Sequence, residues 1–245
     1  MHRFLILPLA FLMTTAAQAQ EFVGNLRFTE AGCEASRKCF LAEPFGFKSM
    51  TVGNWESPAN VWTNGASIPT KVLQKVIGNP FDADLVKAAV IHDHYCGRKV
   101  RSWSDTHWAF YEALRASGVS KIRAATMYVG VILGAQKWIR VRQGEPCKLT
   151  ESCVQTAGDT PLPSGGTRVI DADGTNYWVR KARDDDASLE IELSRAVQEL
   201  SRAQSELTRR ELEAIAKNLR PNDRFINGPD VIVRRSRKRS NAPTE

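Results

Sequence analysis

Asp82-Ala83-Asp84-Leu85-Val86-Lys87-Ala88-Ala89-Val90-Ile91-His92-Asp93-His94-Tyr95 is the stretch on which the fold turns. Leu85, Ala88, Ala89, Ile91 and His92 recur at helical spacing and direct one face toward a core. The pattern predicts a helix from about Asp82 to Tyr95. A second runs from Ser104 to Ala116 and ends near Gly118, and a third runs from Ser120 to about Arg140. The third is apolar on most of its surface (Ile122, Ala125, Met127, Val131, Ile132, Trp138), as expected of a central buried helix.

Upstream, Glu21 to about Trp62 reads as strands. Phe22–Phe28 and Cys39–Thr51 carry aromatic and β-branched residues, punctuated by Gly24, Gly32, Pro44, Gly46 and Gly53. Between strands and helices lies Thr63-Asn64-Gly65-Ala66-Ser67-Ile68-Pro69. Asn64-Gly65 signals a tight turn. Ser67 with Pro69 signals a helix start, with Val72, Leu73, Val76 and Ile77 on one face and Gly78 as its stop. The expected class is α+β: an N-terminal β-rich segment packed on a three-helix core over 20–147, with a C-terminal hairpin and a long helix.

Downstream, 148–183 reads as linker and hairpin. Thr156–Gly166 is rich in Gly, Pro, Ser and Thr, and Arg168–Val179 folds over Asp171-Ala172-Asp173-Gly174. Asp171, Asp173 and Asn176 suggest a calcium loop. The glycine, however, stands at the fourth loop position instead of the sixth, and no bidentate Glu follows; a plain Asp-Gly turn is expected. Residues 184–220 are expected to form one long amphipathic helix. It opens on Asp184-Asp185-Asp186, which suits the helix dipole. Leu189, Leu193, Ala196, Leu200, Ala203 and Leu207 form a seam, which resumes after a shift at Leu212, Ile215 and Leu219. Two readings stay open: a weak coiled coil used for self-association or a partner, or a helix laid on the body. Residues 221–245 read as a basic tail, whose run Arg234-Arg235-Ser236-Arg237-Lys238-Arg239 is expected to be a disordered, solvated end, with attraction to an anionic surface as the secondary reading.

The N-terminus implies export. Residues 1–19 combine a charged start, an apolar run from Phe4 to Met13 and Ala17-Gln18-Ala19, the pattern of a secretory signal peptide cleaved after Ala19. The expected location is periplasmic or secreted. Cysteine usage agrees: Cys33 with Cys39 and Cys147 with Cys153 share the same five-residue gap and read as two local disulfides. Cys96 is left over and reads as a small buried hydrophobe. The chain carries a formal +7, which suits an anionic envelope surface or polymer; export argues against a nucleic-acid partner.

Three of the four histidines, His92, His94 and His107, fall close together, interleaved with Asp93 and Asp105. Imidazole transfers protons near neutral pH and is the commonest metal ligand. His92 and Asp93 are helix neighbours whose side chains diverge by about 100°, so they can divide labour between the next helix and a flanking loop. A short turn would bring Asp105 or His107 opposite His92, giving a histidine oriented by a partner that can activate water. Asp93, with backbone oxygens of the Asn64-Gly65 turn, could hold a cation. The catalytic candidates are therefore His92, Asp93, Asp105 and His107. Asn64 and Gly65 are the cofactor-binding candidates, and His92, Asp93 and His107 the metal ligands. His94 is expected to face solvent. The bland alternative is a structural His-Asp pair.

The Thr63–Pro69 segment, Ala88-Ala89-Val90-Ile91-His92-Asp93, and Phe110-Tyr111-Glu112-Ala113-Leu114 with Gly118-Val119 together resemble the domain-of-unknown-function family numbered 1353. Its members read T-D-G-A-S-I-P, then A-A-V-x-H-D-Y-L-Y, then A-D-x-x-F-x-E-A-L. The resemblance covers about Leu41 to Trp138 and implies architecture more than activity. Asn64 stands where the family has Asp, Cys96 where it has Tyr, and His107 where it has Asp. With two carboxylates lost and an imidazole gained, a His92–Asp93–His107 set would suit zinc better than calcium; equally, the changes could record a degenerate site. A fainter analogy is to secreted bacterial phospholipases A2, which also place His-Asp on one helix with a carboxylate on its partner. The expected function is a hydrolase of an envelope component, either a lipid ester or a cell-wall polymer, assisted by zinc or calcium. The alternative is a non-catalytic envelope or phage-related binding module.

Overall fold

The computed structural model describes residues 20–66, 77–144, 146–147, 152–157, 161–183 and 186–235. The signal-peptide segment and most of the helix expected after Ser67 lie outside the described residues. Gly78 does stop a helical residue, Ile77, with φ +87.

The architecture is α+β. Three helices form the centre: α1 (Ala83–Arg98), α2 (Trp103–Ala116) and α3 (Lys121–Gly134). Ser102 caps α2 by accepting from the Asp105 N–H at 3.1 Å, and Ser120 caps α3 in the same way. On the N-terminal side, β1 (Glu21–Val23), β3 (Phe45–Lys48) and β4 (Asn54–Ser57) form an antiparallel sheet in the order β1-β3-β4. A small pair joins β2 (Cys39–Phe40) to β5 (Trp62–Thr63). Phe45, Phe47 and Trp55 are buried from this side against Ala88, Ala89, Val90 and Ile91 of α1. All residues from Ala124 to Gly134 of α3 are buried, as its sequence requires.

The third helix was expected to reach Arg140, and this is corrected: it ends at Gly134, and β6 (Lys137–Gln143) follows. Trp138 fits helix and strand patterns equally. Here it points into the helical core, while Ile139 points to the opposite face against Phe225 and Ile232, the alternation of a strand. The basic tail is corrected too. Val231–Arg235 forms a strand, β10, inserted parallel between β6 and β7 (Cys153–Ala157). The hairpin β8 (Thr167–Ile170) and β9 (Asn176–Arg180) completes a five-stranded sheet, order β7-β10-β6-β9-β8. Segments that read separately in sequence therefore share one sheet. The Asp-Gly turn holds as expected, with the Gly174 N–H donating to Asp171 O at 2.9 Å.

The single long helix over 184–220 is also corrected. It divides into α4 (Ala187–Ser201) and α5 (Arg209–Leu219). Thr208 and Glu211 make a reciprocal capping box that starts α5 afresh, near the seam's shift. Leu189, Leu193, Ala196 and Leu200 are buried in the main core. The apolar seam is thus spent inside the chain, where α4 packs on α3, in agreement with a helix laid on the body. Both disulfides form, Cys33–Cys39 and Cys147–Cys153, with Cα separations of 5.1 and 5.8 Å. Among the described residues no helix is long and apolar enough to cross a membrane.

Candidate functional site

The site is built on the α1–α2 hairpin. His92 and Cys96 lie one turn apart on α1 and so share a face; His107 reaches the same point from α2. His92 Nε2 stands 2.8 Å from His107 Nδ1 and 3.4 Å from Cys96 Sγ. Aromatic rings fix both imidazoles. Phe110 lies 4.5 Å from the His92 ring, and the Trp103 ring meets His107 edge-on, at 4.4 Å and 88°. His107 is fully buried, and its Nε2 has no partner.

Asp93 stands on the other side of His92. Its Oδ1 is 3.9 Å from His92 Nδ1, close enough to orient the ring electrostatically but too long for a hydrogen bond. Its Oδ2 accepts from Thr63 Oγ1 at 2.5 Å and from the Asn64 N–H at 3.3 Å. The Asn64 side-chain amide, turned so that its NH2 faces acceptors, donates to the same Oδ2 at 3.3 Å and to Gly65 O at 3.2 Å. The turn demands glycine at 65: φ is +75 and a Cβ would sit 2.7 Å from Pro80 O. Asn64 and Gly65 therefore border the site, with the backbone N–H of Asn64 turned to Asp93.

The electrostatics separate the two imidazoles. Burial opposes charge on His92, but the neighbouring Cys96 sulfur and the Asp93 carboxylate outweigh it, pushing its pKa up to about 10. Burial pushes His107 well below its ordinary value, and the nearby charges of His92, Lys137 and Arg209 add to this. His107 is the neutral member of the pair. Burial and Arg98 also lower His94, which packs edge-on against Tyr95 and is half-buried.

Beside His92 lies a cavity of about 200 Å³. Gly65, Ala89, Phe110, Val131, Leu189 and Leu193 line it, and His92, Asp93 and Cys96 provide its polar edge. Helix α4 closes it through Leu189, which packs so tightly on Gly134 that a Cβ there would meet its Cδ2 at 2.9 Å.

Of the sequence candidates, His92, Asp93, His107, Asn64 and Gly65 come together; Asp105 does not. It forms an ion pair with Arg209 at 3.0 Å and borders a separate groove with Trp108. Two positions apart on a helix, Asp105 and His107 differ by about 200° of rotation, so burying His107 turns Asp105 outward. The expected metal set of His92, Asp93 and His107 is also revised, because the close grouping is His92, Cys96 and His107, with ligand atoms within 4.8 Å of one another. Sequence reasoning passed over Cys96 although the signal was present: it stands four residues after His92 on the same helix. Glu112, within the family-like motif, serves as scaffold. Buried on α2, it accepts from Ser49 Oγ and, at 3.1 Å, from Thr51 Oγ1, pinning the β3–β4 connection.

The fold and site define an α+β domain centred on a His-Asp helix hairpin. Residues 39–131 match the model of the family described as Protein of unknown function (DUF1353), which is what this part of the chain is similar to. The chain is 35% identical over 137 residues to the uncharacterized protein y4iH of Sinorhizobium fredii (strain NBRC 101917 / NGR234), covering 56% of each. It is 35% identical over 154 residues to the uncharacterized protein y4jT of the same organism, covering 61% of this chain and 43% of that one. It thus spans about half the length of these relatives. No solved structure matches it.

Proposed function

We propose that the domain is an exported hydrolase that cleaves an ester in a cell-envelope lipid, with His92 at its centre. One observation supports this reading above the others: the His92 ring lies between the Asp93 carboxylate and a small, largely apolar cavity. A small, mostly apolar cavity suits a short acyl group; a glycan strand would need a long polar cleft. This favours a lipid ester over a cell-wall polymer.

In this reading the acyl chain lies beneath Leu189 and Leu193, with its carbonyl toward the Nε2 edge of His92. With its pKa raised to about 10, His92 is protonated near neutral pH, so its base form and the rate should rise with pH; Nε2 then takes the water's proton in place of its contact with His107 Nδ1. Water activated there attacks the acyl carbon, the ester C–O bond breaks, and the proton taken from water passes to the departing alcohol oxygen. The basic surplus of the chain, formally +7, would hold it at an anionic envelope surface.

A second reading, a non-catalytic envelope or phage-related binding module, draws on a different observation. The Asp93 carboxylate is engaged by the 63–65 turn, which is also what a structural His-Asp pair would do.

The test uses the secreted form of the full chain against acyl esters of graded length, anionic phospholipid vesicles and purified cell wall. Hydrolysis of short acyl esters, reduced at least ~100-fold in folded His92→Ala and unchanged in His94→Ala, is the expected result. Folded protein that cleaves none of these substrates, or a His92→Ala variant at full rate, would overturn the hydrolase reading.

A further inference from the structure

We infer that His92 Nε2, Cys96 Sγ and His107 Nδ1 form a binding site for one divalent transition metal of the zinc class. Three independent features carry the assignment. The first is proximity: three potential ligand atoms from two helices lie within 4.8 Å of one another. Without a metal, His92 Nε2 must serve both His107 Nδ1 and Cys96 Sγ, and one ring nitrogen cannot satisfy both. A metal between them would satisfy all three.

The second is distance. Tetrahedral zinc holds N and S ligands about 3.5 Å apart and two N ligands about 3.3 Å apart, given its usual bond lengths. The Cys96–His92 separation of 3.4 Å already fits, and the His92–His107 separation of 2.8 Å would open by about half an ångström. A ligand pair at i,i+4 on one helix, completed by a third residue from a neighbouring element, is an established way to hold zinc.

The third is the surroundings. His107 is held by Trp103 with no exposure, so its donor nitrogen is fixed in direction. Asp93 stands behind His92 on the Nδ1 side, where a carboxylate orients a ligating imidazole. His92 and Cys96 also border the cavity, leaving a fourth coordination position open toward it. Two nitrogens and a sulfur select zinc, cobalt or copper and disfavour calcium, which takes oxygen ligands. The other close grouping among the described residues, Cys33, Glu34 and Cys39, is closed by its disulfide. The metal site does not depend on the hydrolase reading. Were both to hold, water bound at the fourth position would be the nucleophile and His92 its ligand. On binding, the protons on the Cys96 thiol and on His92 Nε2 leave to solvent.

The experiment is a cobalt titration of the full chain after chelation, followed by zinc. Binding of one cobalt per chain is expected, with a thiolate-to-cobalt charge-transfer band in the near ultraviolet and displacement by zinc. Cys96→Ser should abolish the band, and both it and His107→Gln should weaken binding at least about tenfold; His94→Gln should change neither. Should His107→Gln fail to fold, alkylation of the unvaried protein decides. Cys96 is its one free cysteine among the described residues, and zinc should slow its modification at least about tenfold. No stoichiometric binding, a band that persists in Cys96→Ser, or an alkylation rate indifferent to zinc would overturn the assignment. Metal bound without hydrolysis supports the site and counts only against the hydrolase.

Discussion

Two polar clusters flank α2, and they solve the problem of burial in opposite ways. Near its N-terminus, Lys137 Nζ meets Asp230 Oδ1 at 2.6 Å, and the other Asp230 oxygen accepts from the Ser104 N–H at 3.0 Å and from Ser104 Oγ. The Lys137 ammonium also lies 3.9 Å from the Trp103 ring centre. Both charged groups are buried and well partnered, as a structural ion pair must be. On the cavity side, His92 Nε2 faces both His107 Nδ1 and Cys96 Sγ, and His107 Nε2 has no partner. Buried polar groups are normally satisfied, so the second cluster, where one ring nitrogen faces two partners, is the one with a place for a ligand. Satisfaction, more than residue type, separates scaffold from candidate site.

The comparison breaks most readily at Asp230. Replacing it with alanine strands a buried ammonium and should cost about 3–5 kcal/mol, read from chemical denaturation. Burial tends to raise the Asp230 pKa, but the Lys137 ammonium and the Ser104 donors overcome it and hold the carboxyl below its ordinary value of 3.8. For Lys137 burial wins, and its pKa falls below 10.5 despite the partner. A carboxyl with a lowered folded pKa contributes stability that is present above its unfolded pKa and lost as pH falls through the folded one. The acid limb of the stability curve below about pH 4 should therefore flatten in Asp230→Asn.

Leu193 belongs to the cavity side, fully buried in the roof. Leu193→Ala should cost about 2–5 kcal/mol and let the domain accept longer acyl esters, which the ester series would show. Thr208 is expected to matter less. It caps α5, whose Arg209 borders the groove beside Lys137 and Asp230; Thr208→Ala should cost about 1 kcal/mol in thermal unfolding. The smallest effect sharpens the contrast most. His107→Phe, in metal-free protein, should change stability by less than about 1 kcal/mol, because removing the orphaned Nε2 offsets the loss of the Nδ1 contact with His92. A loss as large as that of Asp230→Ala would make His107 part of the scaffold.

Much of this was legible. The helices announced themselves by periodicity, the disulfides by matched spacing, and the Asn64-Gly65 turn by composition. Two of the errors share a cause, pairing with strands far away in sequence. Trp138 satisfies a helix face and a strand face equally, so only its pairing with Val179 places it in β6. Val231–Val233 was masked by the basic run after it, and its partners, Arg140 and Cys153, lie far away in sequence. The break before α5 could have been read locally, since Thr208-Arg209-Arg210-Glu211 is a capping-box pattern.

At the site the division is clearest. Helical geometry is local, so spacing alone puts His92 and Cys96 on one face and turns Asp93 aside. Which residue of α2 completes them is a long-range matter, set by how α2 docks against α1 and β6. Docking that buries Trp103 beside Lys137 brings His107 inward and leaves Asp105 to Arg209. The sequence by itself determined the three central helices in outline, the disulfides and the place of the histidines on the first of those helices, because hydrogen bonding and periodicity act over a few residues. Only the tertiary structure decided that His107, rather than Asp105, meets His92 and Cys96, because convergence of side chains from different elements depends on packing between them.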